Sequence, residues 1–433
     1  MGWLTRISMD GTSRVPGFYK LSLKDRLDYV RKSCGLTSEE TELLTKMGGL
    51  NIDVADKMVE NVIGTMSYPL AIAVNFLIDG SDRLVPMVIE EPSVVAASSN
   101  AAKMMREKGG IFTNATDPLM IGQIQLLKVA DPWAARLKVI EHTDEILQLA
   151  NEQDPFLTKV GGGAKSLEVR VIDSPTGLMV VVHLLVDVKD AMGANAVNTM
   201  CEAVAPTIER VTGGMSCLKI ISNLADRRIA RARSVVAKEQ IGGEKEVDSV
   251  VQAWSFAVAD QYRAATHNKG IMNGVIAVAL ATGQDHRALE AGAHAYAART
   301  GRYLPLSTWE KDKNGDLAGT LEMPMAVGLV GGATKVHPVA QLSTKILGVK
   351  TANELARVMA AVGLAQNFAA LRALTQEGIQ LGHMKLHARN IASAAGAKGE
   401  LADRVAEIMI KEKTIRFDRA KELVEQLHPK GRE

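Results

Sequence analysis

A chain of 433 residues exceeds what one ordinary hydrophobic core organises, so two or three domains are expected. Its 47% hydrophobic and 23% charged residues are typical of a globular enzyme, and a net charge of +2 without a long block of one sign argues against a nucleic-acid partner. The three cysteines share no CxxC spacing, which argues against a disulfide framework and favours a cytoplasmic protein. Every apolar run is shorter than the ~20 residues that span a bilayer, so no membrane anchor is expected.

The first ninety residues predict three helices followed by a β-hairpin. Apolar residues recur at helical spacing after the capping residue Ser22, and Asp79-Gly80 is a hairpin turn signal between two alternating segments. The predicted helices begin at Ser22 and cover residues 38–47 and 51–60, and the predicted strands cover 69–78 and 84–90.

Two adjacent carboxylates, Glu90 and Glu91, follow this hairpin. Neighbouring side chains on a strand point to opposite faces, so one carboxylate is expected to point inwards and the other outwards. Burial raises the pKa of a carboxyl group, which makes the inward one a candidate general acid. A structural ion-pair partner is the alternative role.

Gly109-Gly110 marks a boundary, after which the pattern predicts a compact α+β module over residues 112–218. The turn from Asp190 to Asn195 leads from a strand into a helix, a geometry that aims backbone N–H groups at a ligand, often a phosphate. The chain contains neither G-x-G-x-x-G nor a Walker A sequence, so a doubly wound nucleotide-binding fold is not indicated.

The most polar stretch beside an apolar run is 262–274, which precedes the wholly apolar residues 275–281. The apolar run has to be buried, so the polar stretch is expected at the rim of the core, where Lys269 is the candidate reactive cation and Asp285 a nearby carboxylate. Gly270 and Gly274 are interpreted as positions where the backbone turns or approaches a ligand. A solvated loop before a core helix is the alternative.

The C-terminal region predicts a helical unit that follows Gly378 and Gly382, glycines that suggest a mobile lid. His383 and His387 lie four residues apart, a spacing compatible with a metal site. The chain supplies neither the glutamate of H-E-x-x-H nor an obvious third ligand, so no metal is expected. A protonatable histidine on the lid and a plain surface histidine are the two remaining interpretations.

Several long motifs together resemble 3-hydroxy-3-methylglutaryl-CoA reductase, and specifically its soluble class of bacteria and archaea, over essentially the whole chain. The motifs are Glu60-Asn61-Val62-Ile63-Gly64, Val88-Ile89-Glu90-Glu91-Pro92-Ser93, Asp190-Ala191-Met192-Gly193-Ala194-Asn195, Thr266-His267-Asn268-Lys269-Gly270, the segment from Gly328 to Thr334, and Gly382-His383-Met384.

The resemblance implies an α+β protein with a large mixed α/β substrate domain interrupted by a small, ferredoxin-like, non-Rossmann dinucleotide-binding domain. The large domain is expected over 1–111 and 219–376, the small domain over 112–218, and a C-terminal helical flap over 377–433. It also implies a homodimer whose active sites lie at the interface and are completed by both subunits.

The implied reaction interconverts 3-hydroxy-3-methylglutaryl-CoA and mevalonate plus CoA by two successive hydride transfers with NAD(P)H. Lys269 matches the family's catalytic cation, and Asp285 the carboxylate that orients it. Glu91 matches the acidic catalytic residue, and His383 the flap histidine that protonates the departing CoA thiolate. Such a reaction needs a positioned cation or acid where charge develops on the acyl oxygen.

The binding residues also come from the resemblance. Substrate contacts are expected from Glu60, Asn61, Val62, Ile63, Gly64, Ser93, Arg263, Asn273 and Asn367, and dinucleotide contacts from Asp190, Ala191, Met192, Gly193, Ala194 and Asn195. Asp154 falls where members that prefer NADH carry an acid, so NADH is expected to be favoured over NADPH. A reductase for another acyl-CoA, or a non-catalytic paralogue that binds CoA or a dinucleotide, are the alternatives.

Overall fold

The structure is a computed structural model that describes residues 12–46, 49–376 and 379–427. Side chains are described throughout these ranges except within 376–386. The part of the chain before residue 116 contributes three strands of a mixed sheet and the helices beside them. These elements are α1 (Leu23–Cys34), α2 (Ser38–Thr45), α3 (Ile52–Met58), β1 (Leu70–Ile78), β2 (Ser81–Val88), α4 (Val94–Met105) and β3 (Ile111–Ala115). The predicted hairpin is therefore β1–β2, with Asp79 and Gly80 both at positive φ in its turn.

The next hundred residues form a separate antiparallel sheet with helices on one face. The elements are β4 (Leu119–Leu127), α5 (Pro132–Glu141), α6 (Thr143–Asn151), α7 (Pro155–Lys159), β5 (Gly163–Ile172), β6 (Met179–Asp187), α8 (Ala194–Thr212) and β7 (Met215–Ile221). The strand order β5-β6-β4-β7, with helices after the first and third strands, is a ferredoxin-like βαββαβ arrangement. This unit has its own apolar cluster, which includes Ile124, Leu184 and Met200.

The chain then returns to the first sheet, whose order β2-β1-β3-β8-β10-β9 joins strands from both sides of the interruption. The elements are β8 (Ile229–Val236), α9 (Lys238–Ile241), α10 (Glu244–Ala259), α11 (Gln261–Ala281), α12 (His286–Ala297), β9 (Ser307–Lys311), β10 (Leu317–Pro324), α13 (Gly332–Val336), α14 (Pro338–Leu347) and α15 (Ala352–Gln376). The fold is α+β, as predicted.

Three further helices, α16 (Ile379–Ala394), α17 (Glu400–Lys411) and α18 (Phe417–Leu427), pack around a third apolar cluster that includes Val405 and Met409. Gly382 lies within α16, and Gly378 lies outside the described residues. The lid role expected for this unit stays a prediction.

Helices α11 and α15 pack against each other at the centre of the large core. Within the described part of the chain, Ala352–Thr375 of α15 is the segment long and apolar enough to cross a membrane, yet 67% of its most apolar 18-residue stretch is buried inside the protein, as in a core helix. The polar stretch 262–274 lies within α11, and not in a loop before it.

The two glycines of α11 differ in how much space α15 leaves beside them. A Cβ atom on Gly274 would lie 2.9 Å from Cβ of Gln366 and 3.1 Å from the backbone oxygen of Val362, both on α15. A Cβ on Gly270 would lie 3.5 Å from Cβ of Ala370, which is ordinary contact. Gly274 therefore sets the closest approach of the two helices, whereas Gly270 does not.

This difference predicts opposite effects of the same substitution at two positions of one helix. Gly274→Ala is expected to lower the free energy of unfolding by about 1 to 3 kcal/mol, because the added methyl group forces α15 away. Gly270→Ala serves as the matched control and is expected to be neutral or to stabilise by up to about 1 kcal/mol, since glycine costs helix entropy. Urea denaturation measures both, and equal effects would contradict the packing.

Candidate active site

An ammonium–carboxylate pair lies on the solvent side of α11. Nζ of Lys269 donates to Oε2 of Glu91 at 2.9 Å, and the two side chains are 60% and 35% exposed. β2 ends at Val88, so Glu91 lies in the short connection to α4, with Glu90 more exposed beside it. Exposed ion pairs contribute at most about 1 kcal/mol to stability, so the fold does not depend on this pair.

Ser93, two residues after Glu91, has a left-handed backbone conformation with φ 77° and ψ −21°. It precedes the first turn of α4, but its hydroxyl group does not cap the helix. Such a conformation costs a residue other than glycine about 1 to 3 kcal/mol and is often found at binding and catalytic sites. No feature of the sequence indicates this conformation.

Asn273 lies one helical turn after Lys269 on the same face of α11, as the predicted site requires. Arg263 lies nearer the start of the helix and is half-buried, and desolvation lowers the pKa of its guanidinium group. Lys269 and Asn273 thus share one face of α11, whereas Arg263 lies about a third of a turn around the helix from Lys269.

Asp285 lies at the other end of the helix. Its Oδ1 accepts hydrogen bonds from the backbone N–H groups of Arg287 and Ala288, both at 3.1 Å, so it caps the start of α12. Ala281 lies twelve positions after Lys269 on α11, which corresponds to about 18 Å along the axis at the rise of an α-helix. Within one chain, the structure does not bring Asp285 to Lys269.

A cavity of about 1600 Å³ lies between α1, α4 and the connection from α3 to β1, and Ser93 lines part of it. Four cationic side chains also line it: Arg14, Arg26, Lys46 and Lys103. None of the described residues around this cavity is acidic. Nε of Arg26 is buried, and within the described residues it has no hydrogen-bond partner. This positive, partly apolar lining suits an anionic ligand with an apolar portion.

The segment from Glu60 to Gly64 is exposed apart from Val62, which is half-buried. The side chain of Ile63 is 102% exposed, and Met66 shortly after it is 82% exposed. Asn61 has a positive φ of 59°. This segment thus presents two large apolar side chains to solvent.

The turn 190–195 connects β6 to α8 and is held to the large sheet. Oδ1 of Asp190 accepts the backbone N–H of Ala352 at 2.7 Å, and its carbonyl oxygen accepts the N–H of Leu329 at 2.8 Å. Gly193 has φ 104° and immediately precedes α8, so Ala194 and Asn195 form the open first turn of that helix. The predicted strand-to-helix turn is confirmed, and its free N–H groups can bind an anion.

Asp154 caps α7, where its Oδ1 accepts the N–H of Leu157 at 2.9 Å. The neighbouring residues Glu152, Pro155 and Lys159 line a shallow surface depression. A cap that uses Oδ1 leaves Oδ2 of this carboxylate able to accept from a ligand hydroxyl.

Asn367, an expected substrate contact, lies buried in the core. Its side chain is 1% exposed, and Oδ1 accepts from Oγ of Ser307 at 2.8 Å and Nε1 of Trp309 at 2.7 Å. Its Nδ2 faces His267, whose pKa burial lowers to about 3 with a smaller effect of Arg263. The structure thus places Asn367 in a buried polar network with Ser307, Trp309 and His267, and its substrate contact stays a prediction.

His383 lies on α16, but its side chain lies outside the described residues, whereas His387 is exposed. Within the described part of the chain, no group of three or more His, Cys, Asp or Glu side chains is arranged to hold a metal ion.

An ammonium group held by a carboxylate can stabilise charge on a carbonyl oxygen, and Ser93, two residues after Glu91, lines the large cavity, so the site is that of a candidate enzyme of carbonyl chemistry. A family model for hydroxymethylglutaryl-coenzyme A reductase matches residues 22–388. The reductase of Archaeoglobus fulgidus is 62% identical over 416 residues, which cover 96% of this chain and 95% of that protein. The chain therefore belongs to the hydroxymethylglutaryl-coenzyme A reductase family.

Other relatives agree. A probable 3-hydroxy-3-methylglutaryl-coenzyme A reductase of Borreliella burgdorferi is 37% identical over 361 residues, covering 82% of this chain and 81% of that protein. The solved class II enzyme from Streptococcus pneumoniae, described as bound to NADPH in open conformations, has a TM-score of 0.80 and 41% identity, and the match covers 94% of this chain and 100% of that chain. The family resemblance read from the motifs is confirmed.

The buried network predicts how the enzyme responds to loss of Asn367. Asn367→Leu is expected to lower the free energy of unfolding by about 2 to 4 kcal/mol, because Ser307 and Trp309 lose their acceptor in the core. Asn114→Leu, at an exposed position of β3, is the control and is expected to change stability little. Unchanged stability together with a raised KM for the substrate would contradict the structural role and favour substrate contact.

Proposed function

We propose that the chain is an NAD(P)H-dependent reductase that interconverts 3-hydroxy-3-methylglutaryl-CoA and mevalonate plus CoA. The observation that carries this proposal is the Lys269–Glu91 pair at 2.9 Å, in a chain that matches the reductase family over residues 22–388. The three free cysteines among the described residues also favour a reducing compartment, and we assign the enzyme to the cytoplasm.

The roles follow from the charge that develops during reduction. When hydride reaches the thioester carbon, its oxygen becomes anionic, and the ammonium of Lys269 offsets that charge. The hemithioacetal then loses the CoA thiolate, which takes a proton from His383 by resemblance to the family. A second hydride reduces the resulting aldehyde, and Glu91 donates the proton that turns its oxygen into the alcohol of mevalonate.

The acyl-CoA fits the positive cavity. The CoA moiety carries phosphates and a less polar pantetheine arm, and the lining contains Arg14, Arg26, Lys46 and Lys103 together with apolar side chains. Ser93 lines the same cavity and lies two residues from Glu91, so the thioester end points towards the pair. Arg263 pairs with the free carboxylate of the acyl group, and Asn273 binds its hydroxyl.

The active site is completed by a second copy of the chain. Asp285 orients Lys269 in the proposed mechanism, yet about 18 Å of rigid helix lies between Lys269 and the end of α11 in one subunit. Asp285 of the partner subunit therefore meets Lys269 across a dimer interface. The exposed side chains of Ile63, Met66 and Tyr262 supply apolar surface for such an interface.

The purified enzyme is expected to consume NAD(P)H when given 3-hydroxy-3-methylglutaryl-CoA, as followed by nicotinamide absorbance. Lys269→Ala and Asp285→Asn are each expected to lower turnover at least about a hundredfold. The first variant removes the cation that offsets the anionic oxygen, and the second removes the carboxylate that orients that cation. Coexpression of the two variants is expected to restore about a quarter of wild-type turnover, because about half of the dimers are mixed and each has one intact site.

Lys138→Ala, at an exposed lysine of α5, is the control and is expected to keep wild-type turnover. Inactivity of the wild type in both reaction directions would overturn the proposed reaction. Near-normal turnover of Lys269→Ala would remove this lysine from the mechanism, and mixed dimers without activity would contradict the shared site.

The dinucleotide is assigned to the small sheet, where the 190–195 turn supports the phosphates and Asp154 the adenosine ribose. The Streptococcus pneumoniae relative is described as bound to NADPH, which supports a nicotinamide dinucleotide in this family. The carboxylate of Asp154 accepts hydrogen bonds from ribose hydroxyls and repels a 2′-phosphate, so NADH is the favoured cofactor.

This assignment predicts a higher kcat/KM for NADH than for NADPH. Asp154→Asn is expected to raise kcat/KM for NADPH by about tenfold, because the like charge facing the 2′-phosphate is removed. Glu152→Gln removes a neighbouring exposed acid and serves as the control. A wild-type preference for NADPH would overturn the assignment.

A further inference from the structure

Arg228 has a buried guanidinium group where the chain passes from the small sheet back to the large one, between β7 and β8. The residue is 3% exposed. Its Nη1 donates to the carbonyl oxygens of Ala191 at 3.1 Å and Met192 at 3.3 Å, and its Nη2 donates to the carbonyl of Val327 at 2.5 Å. One side chain therefore ties the 190–195 turn to the segment that follows β10.

The group remains a cation in this position. Burial lowers the pKa of Arg228 to about 10, and the nearby carboxylates Asp187 and Asp190 oppose that effect. Burying a charged group is costly, and here both Nη atoms make hydrogen bonds whereas the buried Nε has no partner among the described residues. Lysine in the same place would offer one nitrogen where the structure uses two, and an apolar residue would remove the donor from three carbonyl groups, of which that of Val327 is buried.

Gln284 supports the turn indirectly, through Gly328. Its Nε2 donates to the carbonyl of Gly328 at 2.9 Å, and its Oε1 accepts the N–H of Gly328 at 2.8 Å. A Cβ atom on Gly328 would lie 2.4 Å from the backbone N of Met192, so the two backbones are in direct contact there. The turn is thus held by Arg228 and by direct contact with the Gly328 segment.

We propose that Arg228 is a positioning residue that sets where the nicotinamide dinucleotide lies relative to the substrate, through its hydrogen bonds to the backbone of Ala191 and Met192. The inference rests on the proposed assignment of the dinucleotide to this turn. Hydride transfer requires the donor and acceptor carbons close together and aligned, so a small displacement of the turn lowers the rate. Arg228 itself touches neither cofactor nor substrate in this role.

The test compares Arg228→Lys with Arg227→Gln. Arg227 is adjacent but exposed, and it pairs with Glu168 at 2.8 Å on the small sheet. Arg228→Lys is expected to raise the Kd for NADH, measured by its fluorescence, and to lower kcat/KM for NADH about tenfold. It is also expected to increase the primary isotope effect from deuterated NADH, with the KM for 3-hydroxy-3-methylglutaryl-CoA within twofold. Arg227→Gln is expected to leave all four quantities unchanged.

A loss that falls equally on both substrates, or an unchanged Kd and isotope effect in a folded Arg228→Lys protein, would overturn the positioning role. Failure of the wild type to bind NADH would overturn the dinucleotide assignment and this inference together. Binding by the wild type with no change in the variant overturns the inference alone.

Gln284→Met provides a second route if Arg228→Lys does not fold. It removes the hydrogen bonds that hold Gly328 against the turn but leaves the buried charge in place. The same pattern is expected: weaker NADH binding, a larger isotope effect and an unchanged KM for the acyl-CoA. A folded Gln284→Met protein with wild-type NADH binding would show that the turn does not need this support, and the inference would fail.

Discussion

The close contact between α11 and α15 is the constraint on which the site depends. Gly274 leaves no room for a side chain against Gln366, so the position of α11 relative to the core is fixed by backbone packing. The opposite side of the same helix carries Lys269, which reaches Glu91 in solvent. Because an exposed ion pair contributes little stability, the core positions the ammonium group, and the group does not hold the core.

Local patterns in the sequence were sufficient for the hairpin before Glu91 and for the turn into α8. Both depend on alternation, turn residues and glycine conformations within about ten residues. The expectation that one of Glu90 and Glu91 points inwards assumed that both lie on the strand, whereas β2 ends at Val88, and Glu91 is half-buried in the connection beside exposed Glu90. The glycines of α11 were harder to interpret, because a glycine that admits a helix and one that admits a ligand look alike until the partner is known.

Non-local features were not accessible from the sequence. The cationic residues of the cavity come from four separate segments, and no spacing along the chain relates Arg14 to Lys103. Asn367 matched a substrate contact by its motif, but its burial against Trp309 depends on how β9 packs under α15. The contacts of Arg228 could not be predicted from the sequence, because its partners are backbone carbonyl groups, which every residue has.

The separation of Lys269 from Asp285 limits what any motion of a single subunit can achieve. A lid or a domain hinge can move one sheet relative to another, but it cannot shorten an α-helix whose backbone hydrogen bonds are intact. Lys269 and Ala281, the last residue of α11 before Asp285, belong to one 21-residue helix, and Asp260 caps the N-terminal end of that helix. In the proposed mechanism Asp285 of a second copy of the chain orients Lys269, so that proposal makes catalysis and assembly depend on the same interface.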